Sequence, residues 1–268
     1  MAEGFSVTEF FSMKQRPFII LSNDDGLYAK GLQTLVEVLR PIADLLVVAP
    51  DGARSGMACA MTANVPVTLH RVSSVRGLRM YSCSGTPTDC VKLAIAQLLK
   101  KKRPDLVVSG INHGDNSSIN SHYSGTMGAA YEGVMHGIPA VAFSLCDFNP
   151  DADFSPLQPY IVDIVFKAIA CGLPPLTCLN VNFPKAQKFK GVRICRMAHT
   201  HWDNEFTKAR RPGIPGRYVY WLTGDRVSDE PQATDTDDWA LSHGYVAITP
   251  ETLDVTAHQL IDVLKEVF

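Results

Sequence analysis

The stretch Phe18-Ile19-Ile20-Leu21-Ser22-Asn23-Asp24-Asp25-Gly26 joins four continuous apolar residues to a polar turn carrying two adjacent carboxylates. A short apolar run without alternation is the pattern of a strand covered on both faces. Similar runs follow at Leu45–Val48, Leu106–Val108, Ala140–Phe143 and Cys178–Val181. Helix-period segments lie between them at Leu32–Leu39, Pro87–Lys101, Thr126–Met135 and Tyr160–Ala170. That alternation predicts βαβ units and a mostly parallel sheet, a Rossmann-like three-layer α/β sandwich.

The second helix has readable ends. Thr86 is placed as N-cap, Pro87 as first helical residue and Asp89 as the acid of a capping box, with basic residues before Pro104 at the far end. Val65–Arg71 and Leu78–Ser82 alternate as a β-hairpin would, with Gly77 in the connection. Beyond Pro184 the pattern changes. Pro212, Gly213, Pro215 and Gly216 precede the aromatic run Tyr218-Val219-Tyr220-Trp221-Leu222, which suggests a β-hairpin arm with an irregular base. Val255–Val267 reads as a terminal helix. The chain thus divides into an N-terminal extension (1–17), an α/β catalytic core (18–184) and a C-terminal arm and tail (185–268). Met13-Lys14-Gln15-Arg16-Pro17 itself resembles a start, so Met1–Ser12 is expected to be dispensable.

With 268 residues, 46% apolar and 19% charged, the chain can bury a sizeable core and carries no tract polar enough for domain-scale disorder. The net charge is −2, and the basic runs Lys100–Arg103 and Arg210-Arg211 are too short for a nucleic-acid polymer, which needs many phosphate contacts. Seven scattered cysteines with no C-x-x-C pair argue against a disulfide framework or structural zinc and for a reducing cytoplasm. No apolar stretch approaches membrane-spanning length.

Ligands of open α/β sheets bind beyond the carboxyl ends of the strands. Two neighbouring carboxylates there repel each other unless protonated or bound to a cation, which makes Asp24 and Asp25 candidate metal ligands. Asn-Asp-Asp-Gly is also good turn chemistry, so a purely local role is the alternative. Ser55, in the loop after the second run, and Asn112, in Ser109-Gly110-Ile111-Asn112, would add neutral oxygens. Carboxylate, hydroxyl and amide oxygens together suit Mg²⁺ or Mn²⁺ and not zinc. Gly114-Asp115-Asn116 and then Tyr123-Ser124-Gly125-Thr126 lead into a helical pattern, where free N–H groups, hydroxyls and glycines make a phosphate cradle.

These motifs resemble those of the SurE family of stationary-phase survival proteins, metal-dependent nucleotidases. The match runs through Ile20–Gly26 with Gly31, Ala49-Pro50-Asp51 to Arg54-Ser55-Gly56, Ser84–Pro87 with Asp89, Pro104–Val107, Ser109–Asn112, Gly114 with Asn116, and Tyr123–Thr126. It continues through Tyr220-Trp221, Thr236-Asp237 with Ala240, Gly244-Tyr245, Thr249-Pro250 and Asp254–His258. The resemblance implies Asp24, Asp25, Ser55 and Asn112 as metal ligands, and Gly110, Asn116, Ser124, Gly125 and Thr126 around the phosphate. It implies one Mg²⁺ or Mn²⁺ per subunit, hydrolysis of nucleoside 5′- and 3′-monophosphates with short polyphosphate as a further substrate, and homodimers or homotetramers built through the C-terminal arm and tail. Ile214-Pro215-Gly216-Arg217 departs from the usual hairpin entry.

The expected chemistry is metal-assisted hydrolysis, with Asp24 the candidate to orient or deprotonate the attacking water and an aspartyl-phosphate as the alternative. His113 and His122 read as surface or structural histidines, and His199-Thr200-His201 as a loop. A receiver domain would want an aspartate where Asn112 stands and would be far shorter. A non-catalytic metal- and nucleotide-binding module is the other rival, although no G-x-G-x-x-G turn follows the first strand.

Overall fold

The computed structural model describes residues 16–99, 102–210 and 216–268. In chain order the elements are β1 (Phe18–Ser22), α1 (Lys30–Leu39), β2 (Asp44–Pro50), β3 (Leu69–Val75), β4 (Leu78–Cys83), α2 (Pro87–Leu93), β5 (Leu106–His113), α3 (Gly125–Met135), β6 (Ala140–Leu145), α4 (Gln158–Cys171) and β7 (Thr177–Phe183). There follow β8 (Val192–Ile194), β9 (Thr200–Asp203), β10 (Phe206–Arg210), β11 (Tyr218–Leu222), β12 (Asp225–Ser228), α5 (Asp237–Ser242), β13 (Val246–Thr252) and α6 (His258–Val267).

Among the described residues nine strands form one sheet in the order β3-β4-β2-β1-β5-β6-β7-β13-β8. All neighbours run parallel except β3 with β4 and β13 with β7. The predicted α/β sandwich is thus present, and the strand period of two explains its layers. Ile19 and Leu21 face α1 and α4, whereas Phe18 and Ile20 face α2 and α3, so each face closes its own apolar cluster. From β1 the chain builds leftward to β2 and later rightward through β5 to β7. The crevice where strand order reverses therefore lies beyond the ends of β1 and β5.

Local chemistry accounts for both the agreements and the differences. The capping box is present: the Asp89 N–H donates to Thr86 Oγ1 at 3.1 Å and the Thr86 N–H to Asp89 Oδ2 at 2.9 Å. After Leu93 the helix widens into a π-helical turn, Ala94–Leu98, and Leu99 is already extended. The expected end at Lys101 lies outside the described residues. The first hairpin strand is Leu69–Val75 and not Val65–Arg71, because Gly77 at φ +78° makes a two-residue connection that pairs Val75 with Leu78. The terminal helix starts at His258 and not Val255, since Asp254 Oδ1 accepts the Thr256 N–H and holds that segment in a turn.

The C-terminal segment contributes to both the sheet and an arm. β13 pairs with β7 over six residues from Ala247 to Thr252. The arm is two successive ribbons, β9 with β12 and then β10 with β11, joined where the Thr223 N–H donates to the Glu205 carbonyl. Phe206, Tyr220, Trp221 and Leu222 on the outer ribbon are exposed, and α6 buries none of its residues. Among the described residues no helix is long and apolar enough to cross a membrane.

One close approach sets the crevice. A β carbon on Gly31, in the first turn of α1, would stand 2.0 Å from the Ile111 carbonyl oxygen, so only glycine lets α1 lie against β5 there. Gly31→Ala should destabilise the protein by about 1–3 kcal/mol in urea unfolding. Gly52→Ala, whose added carbon meets only the end of the Arg54 side chain at 3.7 Å, should be close to neutral. Equal stability of the two variants would contradict this packing.

Candidate active site

The turn after β1 is closed by Asn23. Its Nδ2 donates to the Gly26 carbonyl at 3.0 Å and its Oδ1 accepts the Gly26 N–H at 3.3 Å. The turn role therefore falls to Asn23, and both following carboxylates are released from it. Asp24 is 3% exposed; its Oδ1 accepts the Thr126 hydroxyl at 2.5 Å. A β carbon on Gly125 would stand 2.8 Å from Asp24 Cβ, so this glycine is what allows α3 to meet β1's turn. Asp25 is partly exposed, with Oδ2 3.4 Å from His113 Nδ1.

Burial raises the Asp24 carboxyl from its ordinary 3.8 to about 6; the Thr126 hydroxyl opposes this, the neighbouring Asp25 charge adds to it, and backbone N–H groups oppose it further. The pair is thus a site of unfavourable negative charge at the mouth of the crevice.

The other expected ligands reach this spot through their neighbours. The Arg54 N–H donates to the Asp24 carbonyl at 2.6 Å, which brings the Ser55 loop beside the pair. Ser55 itself is exposed and forms no hydrogen bond with a described residue. Asn112 precedes the His113 that contacts Asp25. Its Nδ2 donates to the Gly114 carbonyl at 2.9 Å, leaving Oδ1 as an open oxygen donor. No three His, Cys, Asp or Glu side chains converge among the described residues, so a cation here would take the carboxylate pair and neutral oxygens. Gly110, at φ +123°, lets β5 pass the Phe143 carbonyl, which a β carbon would approach to 2.3 Å.

Ser124 caps α3, its hydroxyl oxygen accepting the Met127 N–H at 3.1 Å. The N–H groups of the first turn otherwise have no intrahelical partners, which makes this end a ready anion site. Thr126 differs from expectation in one respect: its hydroxyl is engaged by Asp24. Asn116 lies on the β6–β7 side, where its Nδ2 donates to Ser144 Oγ at 2.8 Å. His122 is exposed. His199-Thr200-His201 runs into β9, where His201 pairs with Asp229 at 2.7 Å.

Sequence reasoning missed the residues that fasten the Gly114–Tyr123 loop. Arg226 of β12 reaches Asp115 at 2.6 Å, Ser117 Oγ at 2.9 Å and Asp238 at 2.9 Å. Asp237 accepts the Ser118 N–H at 2.8 Å and holds that residue at φ +54°. Trp202 Nε1 donates to Asn120 at 3.1 Å. The groups that hold the loop lie 82 to 119 residues from it in sequence, and no local pattern marks Arg226 or Trp202. The Thr236-Asp237 motif was the only signal.

Because the native Asp24 carboxyl holds its proton to about pH 6 and the unfolded one to about 3.8, the native state binds more protons in that window. Stability of the metal-free protein should therefore fall as pH rises from about 4 to 6, by on the order of 3 kcal/mol. In EDTA at pH 8, Asp24→Asn should melt several degrees above the parent chain, and the two should converge near pH 4. An Asp24→Asn protein that melts lower at pH 8 would contradict the strained pair.

Comparison with known proteins places the chain in a family. The family model described as survival protein SurE matches residues 19–204. A protein of Bacteroides fragilis named 5′-nucleotidase SurE is 52% identical over 251 residues, covering 94% of this chain and 97% of its own. Its counterpart in Bacteroides thetaiotaomicron is 51% identical over 94% of this chain and 96% of its own. The crystal structure of the SurE protein from Aquifex aeolicus superimposes with a TM-score of 0.80 at 34% identity, over 94% of this chain and 99% of that one. The chain belongs to the SurE family.

Proposed function

We propose that this chain is a divalent-metal-dependent phosphomonoesterase acting on nucleoside 5′- and 3′-monophosphates, with short polyphosphate as a further substrate. One observation carries the reading: the anion-attracting first turn of α3 is in contact with a buried carboxylate of an adjacent acidic pair. An incoming phosphate is favoured by the helix end and repelled by the carboxylates. A divalent cation between them reconciles the two. The relatives' shared name, 5′-nucleotidase SurE, supports the same class of reaction.

Asp24, Asp25, Ser55 and the Asn112 amide oxygen would hold one Mg²⁺ or Mn²⁺, whose oxygen preference their chemistry fits. When bound, such an ion supplies Lewis-acid neutralisation of phosphate charge and a more acidic water. The chain's own groups do the rest. Asp24, kept in place by Thr126, orients the attacking water or takes its proton. Ser124, Gly125 and the Asn116 amide offer donors to the non-bridging oxygens as charge grows on them, with Gly110 shaping the floor of the site. The exposed aromatic ribbon and the unpacked α6 are the surfaces through which a homodimer or homotetramer would form, and the cytoplasm is the proposed setting.

The test is phosphate release from a panel of nucleoside monophosphates with Mn²⁺, Mg²⁺ or EDTA. Asp24→Ala and Asn112→Ala should each lower turnover by about 100-fold or more, and EDTA should abolish it. Activity that survives EDTA and both substitutions would overturn the proposal. Tight nucleotide binding without phosphate release would favour a binding module.

A further inference from the structure

Every polar group that fixes the course of Asn116 is held by a side chain from the strands behind it. Its N–H donates to Asn182 Oδ1 at 2.8 Å, its carbonyl accepts from Asn180 Nδ2 at 2.7 Å, and its Nδ2 donates to Ser144 Oγ at 2.8 Å. The holders are themselves linked. Asn182 Nδ2 donates to Asn180 Oδ1 at 2.8 Å, and Asn180 Nδ2 donates to Glu251 Oε1 at 2.7 Å. Glu251 Oε2 accepts the Tyr131 hydroxyl at 2.5 Å. Asn180, Asn182 and Ser144 are fully buried, and Asn116 and Glu251 nearly so.

This ladder is an unusual use of a sheet interior. Asn180 and Asn182 are two apart on β7, so both face the side of the sheet covered by α3. Apolar residues of their size would pack there without amides to desolvate, and each amide left unmatched would cost stability. What the amides add is a set position for the one residue they surround. Asn180 and Asn182 engage both main-chain groups of Asn116 as a neighbouring strand would, while Ser144 fixes which way its amide faces. Glu251 then ties the ladder to Tyr131 on α3, whose first turn bears Ser124, Gly125 and Thr126. The two halves of the anion cradle, the Asn116 loop and the start of α3, thus share one buried carboxylate.

We propose that Ser144, Asn180 and Asn182 are positioning residues that present the Asn116 amide to the phosphate, and that Glu251 registers this loop against α3. The proposal rests on the phosphomonoesterase reading above and names the groups through which Asn116 serves it.

A double-mutant cycle tests it on the full-length chain with AMP and Mn²⁺. Ser144→Ala and Asn182→Ala should each lower kcat/KM about 10-fold, and Asn116→Ala more. Added to Asn116→Ala, Ser144→Ala should cause no further loss, because it meets the loop only through that amide, and Asn182→Ala should cause less than its own 10-fold. Mn²⁺ affinity, read by titration without substrate, should stay within about 2-fold of the parent chain. Glu251→Gln, which keeps an oxygen for Asn180, should retain activity that Glu251→Leu loses. Should Asn182→Ala fail to fold, Ser144→Ala, which deletes one hydroxyl, carries the cycle by itself. Multiplicative losses in the Asn116→Ala background, or loss of Mn²⁺ binding in Ser144→Ala, would overturn the inference. So would an Asn116→Ala enzyme as active as its parent. A parent chain that releases no phosphate at all would instead overturn the reading on which it rests.

Discussion

The contact between Asp24 and the first turn of α3 is the constraint on which the rest of the site depends. A buried carboxylate is tolerable there because the Thr126 hydroxyl donates to it and because the positive end of a helix faces it. The contact demands a glycine at 125, since a β carbon would strike Asp24. A similar close approach recurs one turn along, where Gly128 admits the Ala58 carbonyl, which a β carbon would reach at 2.1 Å. The Ser55 loop is thereby pressed between β1's turn and α3: the Arg54 N–H bonds the Asp24 carbonyl and the Ala58 N–H the Tyr123 carbonyl.

The same contact sets the electrostatics. Asp25 adds a second negative charge with the His113 ring as its neighbour, and the Arg54 guanidinium of the adjoining loop is engaged by Asp51. The carboxylate pair thus keeps an excess of negative charge beside an anion-attracting helix end. The C-terminal segment contributes stiffness instead of charge. Arg226, Asp237 and Trp202 fasten the outer side of the Gly114–Tyr123 loop, and Glu251 reaches its inner side through Asn180. A loop with a left-handed serine at 118 needs such over-determination.

Much of the fold was legible because its signals are local. Continuous apolar runs marked β1, β2, β5, β6 and β7, and Thr86-Pro87 with Asp89 marked the start of α2. The start of β3 and the start of α6 were misjudged for equally local reasons, a two-residue turn at Gly77 and an Asp254 turn that apolar periodicity does not report. β13 was not foreseen in the sheet, because its partner β7 is some 70 residues away in the register Cys178–Glu251. Within the candidate site, the meeting of Asp24 with the Ser124–Thr126 turn was readable from residue type and placement. The roles of Arg226 and Asp237 were not, since a charge on a distant ribbon carries no mark of the loop it holds. Asn180 and Asn182 did carry one: two amides two residues apart inside an apolar strand are an anomaly that strand periodicity alone would leave unexplained.

The central claim is that the two adjacent carboxylates, with the Ser55 hydroxyl and the Asn112 amide oxygen, form a single divalent-cation site. Titrating the purified chain with Mn²⁺ and following free ion by electron paramagnetic resonance measures this directly, without reference to turnover. The account predicts one ion per chain, and loss of that ion in an Asp24→Asn/Asp25→Asn double variant that remains folded. Undiminished Mn²⁺ binding by that variant would contradict it.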